Sequence, residues 1–202
     1  MEGMKSATER PAGNAGLRER LKSATAADHR ATEEAMYGGA IMKGELTLDR
    51  YKHLLKAHYI FHSALEKAIS AHAGRFAAMR PQDRLKAGQF RDDLLQLNEP
   101  LPPEEDLFAA WDFPELLGAA YVAEGSTLGG AVITRALQKN GIADAAGIIP
   151  GPFGSYGERT GECWKEFLHF LEEHADADEA ACNGANRAFR LLRDVFDRLG
   201  SH

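Results

Sequence analysis

The chain has 202 residues, 44% of them hydrophobic, which is enough for one substantial core and too short for two comfortable domains. Lys and Arg total 24 against 30 Asp and Glu, a formal charge of −6, and no basic patch stands out, so no nucleic-acid partner is expected. No apolar run approaches the about 18 residues of a membrane-spanning helix, and the two cysteines, Cys163 and Cys182, form neither a CxxC pair nor a disulfide framework, which fits a reducing cytosol.

Met1 to Gly16 contains Arg10-Pro11 and three glycines, without the apolar centre of a signal peptide. A flexible tail is expected over 1–16, followed by one helical domain over 17–202. From Leu17 onward the pattern is helical. Leu17, Leu21, Ala24, Thr25, Asp28, His29, Thr32 and Met36 track one stripe, which predicts that His29 points toward the interior. Glu33 stands at i+4 from His29, close enough to orient the imidazole, and Lys22 lies two turns before it on nearly the same face. Such a histidine, taken alone, is more often a satisfied core residue than a ligand.

Thr47 is placed to cap a helix carrying Tyr51, Leu54, Leu55, His58, His62, Leu65 and Ile69. His58, His62 and Glu66 fall on successive turns, but no HExxH is present and metal binding there is not expected. Leu85, Phe90, Leu94 and Leu97 mark a further helix after Pro81. Leu107, Phe108 and Trp111 predict a short one, bounded by Pro100, Pro102, Pro103 and Pro114.

Tyr121-Val-Ala-Glu-Gly125-Ser126-Thr-Leu-Gly129-Gly130 then places three glycines within six residues of an otherwise amphipathic helix. Each costs roughly 0.5–1 kcal/mol relative to alanine in a helix interior. Leu117, Tyr121, Gly125, Gly129, Val132 and Ala136 share one face, with Ser126 and Gly130 in the next column. That face suits either the backbone of a neighbouring helix or a large planar ligand, and the segment alone does not choose. It is not a hydrolase elbow, because no strand precedes it.

From Asn140 to Gly157 glycines and prolines replace periodicity, which predicts a loop with one short turn. Glu166 and His169 make a single ExxH, short of what a di-iron carboxylate site needs. Cys163 beside Trp164 and Phe167 reads as a buried thiol. Strand signals are nearly absent.

Lys22-x-x-Thr25-x-x-x-His29-x-x-x-Glu33, the Gly125–Gly130 segment and Ala185-Asn-Arg-Ala-Phe189-Arg-Leu-Leu192-Arg-Asp-Val-Phe196 occur in one order and together resemble the heme oxygenase family. The likeness runs from about Leu17 to Leu199 and is greatest to the bacterial enzymes that supply biliverdin to bacteriophytochromes. It implies an all-α, irregular multi-helix domain with heme sandwiched between a proximal and a distal helix. His29 would be the proximal iron ligand through a neutral imidazole, with Glu33 fixing the ring. Gly125, Ser126, Gly129 and Gly130 would form the catalytic distal segment, whose bare backbone directs dioxygen toward a meso carbon of the macrocycle.

Lys22, Tyr121 and Lys165 would meet the propionates, and Phe189 and Phe196 would line the pocket. Heme is then cofactor and substrate, and biliverdin, carbon monoxide and ferrous iron are the products. The implied partners are an electron donor such as ferredoxin or a flavin reductase, and a bacteriophytochrome as acceptor; the implied location is cytoplasmic. Ser126 departs from the aspartate of the animal enzymes, so waters held by backbone groups would deliver protons. Two other functions fit the same fold: a heme carrier or sensor without turnover, and a heme-free protein such as a thiaminase-like enzyme or a di-iron oxidase.

Overall fold

Residues 16–151 and 153–200 are described by a computed structural model; the predicted tail, Gly16 apart, lies outside them. Among the described residues nine α-helices follow in order: α1 Leu17–Ala35, α2 Gly38–Lys43, α3 Leu48–Ala71, α4 Ala73–Phe76, α5 Ala87–Gln96, α6 Phe113–Lys139, α7 Ile142–Ala146, α8 Thr160–Glu172 and α9 Asp178–Gly200. Short 3-10 turns join some of them, and no strand occurs among the described residues.

Local chemistry sets the ends. Thr47 Oγ1 accepts a hydrogen bond from the Arg50 amide at 3.3 Å and starts α3. Asp112 and Glu115 form a reciprocal capping box at the start of α6, with Pro114 in its first turn. Gly141 and Gly147 take left-handed conformations on either side of α7, which keeps that helix to a single short turn within the 140–157 segment. The short helix predicted around Leu107 to Trp111 does not form: the segment is a turn. Phe108 and Trp111 nevertheless reach the core from it.

Helix α9 is the organising element. It packs against α6, α1 and α3, and its buried face carries Ala181, Ala185, Ala188, Leu192 and Val195. The closest approach is to α6 and depends on two glycines. A Cβ on Gly118 would collide with the Ala181 carbonyl oxygen and lie 2.6 Å from the Ala185 nitrogen, and one on Gly184 would collide with the Glu115 carbonyl. These are the helix-packing glycines of the molecule. By length and composition α6 could cross a bilayer, but more than half of its apolar window is buried inside the protein, as befits a core helix.

His58 and His62 belong to the core. Their rings stack on each other, His58 also stacks on Phe90 while His62 lies tilted to it, and His58 meets Phe153 edge-on. Burial pushes the His58 imidazole down to about 4 from its ordinary 6.5. The unfolded chain therefore takes up this proton near 6.5 while the folded chain resists until near 4, so stability is present above that window and lost as pH falls through it. Urea unfolding at about pH 5 is expected to show about 2 kcal/mol less stability from His58 alone than at about pH 7.5. His58→Phe is expected to remove that share of the pH dependence.

Candidate functional site

Past Tyr121 the outward face of α6 is almost bare. A Cβ on Gly129 would meet nothing within 4 Å, and one on Gly125 only the Trp164 ring, at 3.9 Å. Leu128 is 48% exposed and Val132 38% exposed beside them, although both are apolar. The glycines of this one helix differ: Gly118 is filled by a neighbouring backbone, and no neighbouring backbone fills Gly125 or Gly129. Glycines in a helix interior with no neighbour to accommodate leave the main chain open to something flat and apolar.

Helix α1 meets α6 at Tyr121. Both α1 and α6 pack on α9 rather than on each other. They are linked where the Tyr121 hydroxyl meets the Thr25 side chain. Burial pushes the Tyr121 phenol up, and Arg18 and Thr25 draw it partly back. One turn beyond that link on each helix stand Gly125 and His29.

The inward orientation predicted for His29 is not what is found. Its side chain is 56% exposed. The buried line of α1 is Leu17, Leu21, Thr25 and Thr32, so His29 lies at its edge and not at its centre. Its Nδ1 is 3.5 Å from Glu33 Oε2, as the i+4 spacing requires, and its ring meets Phe189 of α9 edge-on at 5.6 Å. No hydrogen bond engages Nε2 among the described residues.

The remaining predicted residues divide. Lys22 and Lys165 are exposed and form no ion pair among the described residues. Ser126 is exposed, but its hydroxyl proton is donated to the Ala123 carbonyl at 2.7 Å, leaving only oxygen lone pairs for a water. Gly130 is buried and its carbonyl accepts from Thr134 Oγ1, so it turns away from the open face. Phe189 lies at His29, whereas Phe196 stacks on His53 at 3.8 Å and meets Tyr37 edge-on, a core position two turns away.

The partners of two charged groups escaped sequence reasoning. Glu124, next to Gly125 but buried, accepts hydrogen bonds from Arg84 Nη1 at 2.8 Å, Lys86 Nζ at 2.7 Å and the Tyr156 hydroxyl at 2.6 Å. Burial drives the Lys86 ammonium down while Glu124 opposes it, and burial and Glu124 drive the Tyr156 phenol far up. The cluster anchors α6 to the segments before α5 and after α7. Asp28, beside His29, is paired with Arg190 and Arg193; burial raises its carboxyl, and the two guanidinium groups outweigh that and hold it below its usual range. A carboxylate in an apolar helix was the one visible signal for Glu124. Asp28 stood on the predicted inward stripe of α1, but nothing local marked its arginine partners.

The residues present fit a heme. They supply an imidazole nitrogen without a protein partner among the described residues and an apolar helix face without side chains at its centre. The heme oxygenase family model matches residues 15–101, which include α1 and end before α6. A heme oxygenase of Xanthomonas campestris pv. campestris (strain 8004) is 28% identical over 160 residues, covering 74% of this chain and 90% of that protein.

Among solved structures, the NO- and CO-bound heme oxygenase from Neisseria meningitidis superposes with a TM-score of 0.71 at 23% identity, covering 92% of each chain. The heme oxygenase from Leptospira interrogans gives 0.74 at 15% identity, covering 91% of this chain and all of that one. The heme oxygenase family model thus matches the part of the chain that carries α1, and the helical arrangement over nearly the whole chain is the fold of these solved heme oxygenases.

Proposed function

We propose that the chain cleaves heme oxidatively to biliverdin, carbon monoxide and ferrous iron, with His29 as the iron ligand and the Gly125–Gly129 face opposite. The observation that carries this is the open backbone at Gly125 and Gly129 in a helix whose packing glycine, Gly118, is filled. Heme, once bound, supplies both the iron at which dioxygen is reduced and the carbon skeleton that is broken.

The chain's own residues do the rest. His29 offers Nε2, and Glu33 at Nδ1 selects the tautomer that leaves Nε2 free to bind metal. Gly125 and Gly129 keep side chains off the reacting face, and Leu128 and Val132 make its border apolar, which limits water. The Ser126 oxygen accepts from a water and, with main-chain groups, holds a proton source without carrying a charge. Lys22, Lys165 and the Tyr121 hydroxyl are the groups suited to carboxylates at the rim. A ferredoxin or a flavin reductase is the proposed electron donor and a bacteriophytochrome the proposed biliverdin acceptor.

The test is a heme titration of the full chain followed by ascorbate or a ferredoxin-type reductant in air. Loss of the Soret band with growth of biliverdin absorption, confirmed by chromatography of the pigment, is expected. A Soret band that persists would identify a carrier or sensor.

A further inference from the structure

We propose that Arg193, assisted by Arg190, is a positioning residue for His29: together they grip α1 at Asp28 and Thr32 and fix the direction in which the imidazole leaves the helix. The inference rests on the heme reading of His29. Arg193 Nη1 donates to the Asp28 carbonyl at 2.9 Å and to Thr32 Oγ1 at 2.9 Å, and its Nη2 donates to Asp28 Oδ1 at 2.7 Å. Arg190 Nη2 lies 3.2 Å from the other carboxylate oxygen. A planar fork bound to a main-chain carbonyl, a carboxylate and a hydroxyl one turn along resists both rotation and sliding of the helix at that level. His29 follows Asp28 by one helical step, about 100° around the axis, so the same bonds set the direction of its Cβ.

Hydrophobic packing does not do this work. Between Thr25 and Thr32 no residue of α1 is buried, so the segment that carries His29 is held by these polar contacts. The pair is sheltered, with Arg193 19% and Asp28 14% exposed, which spares it much of the screening that weakens surface ion pairs. Glu33 cannot substitute, because it rides on α1 and moves with His29. Phe189, one turn before Arg193 on α9, meets the imidazole edge-on, so a single turn of α9 contacts both the ring and the backbone beneath it.

The experiment is resonance Raman of the ferrous hemin complex of the full chain, read at the iron–imidazole stretching band, with the heme dissociation rate alongside. Arg193→Gln is expected to shift or broaden the band and to raise the dissociation rate about tenfold. Asp28→Asn keeps the side chain's shape while removing both ion pairs, and it serves if Arg193→Gln does not fold; a smaller displacement in the same direction is expected. A folded variant of either kind with the unaltered band and dissociation rate would overturn the inference, even if its melting temperature fell. An unaltered chain with no iron–imidazole band would instead overturn the heme reading itself.

Discussion

Gly129→Leu is expected to keep heme affinity near that of the unaltered chain while turnover falls about 10²-fold. The new side chain has room, since a Cβ at Gly129 meets nothing within 4 Å. Replacing a mid-helix glycine by leucine also favours the helix by up to about 1 kcal/mol, so the melting temperature should hold or rise. What the leucine occupies is the space over the reacting face, where displacing the reacting groups by about 1 Å is costly to rate.

Gly118→Ala is the contrasting control. Its methyl group would strike the Ala181 carbonyl, so it is expected to destabilise the fold by about 1–3 kcal/mol or more. The pair is checked by thermal melting, hemin titration and single-turnover decay of the Soret band. Equal losses of binding and turnover in Gly129→Leu would mean that the glycine serves only to admit the macrocycle.

The second large effect is expected at His29. His29→Ala should fold normally, because the side chain is 56% exposed and its neighbours are Glu33 and Phe189, so a change of about 0.5 kcal/mol or less is anticipated. Its hemin complex should lose the imidazole-ligated spectrum and turnover should drop by about 10²-fold or more. Added imidazole should restore part of the spectrum, since the exposed position vacated by the ring can admit it. Glu33→Gln should cost about tenfold in affinity or rate, the usual effect of losing a ligand's orienting partner. A His29→Ala protein with unchanged heme spectra would remove the histidine from the site.

Much of this was legible from residues alone because it is local. Thr47 caps α3 through its own side chain, the stripe from Leu17 to Thr32 marks α1, and the glycines of α6 announce an unusual face. What was not legible depends on partners far apart in the chain. Gly118 and Gly125 look alike in sequence, and only the position of α9 separates the packed glycine from the open one.

His29 seemed inward because one stripe carried both Asp28 and His29. Asp28 does face α9, its charge answered by Arg193 165 residues away, but His29, one step on, lies at the edge of the buried line. Glu124 likewise tolerates burial only because Arg84, Lys86 and Tyr156 arrive from two other segments. The helix predicted near Trp111 failed because three apolar residues between bounding prolines mark a buried anchor as readily as a helix, and here they anchor a turn.

The most direct measurement is a crystal structure of the full chain with ferric heme. Iron should be bonded to the imidazole of His29, with the main chain of Gly125 and Gly129 covering the opposite macrocycle face. Iron bound to another residue, or a bulky side chain seated over that face, would contradict it.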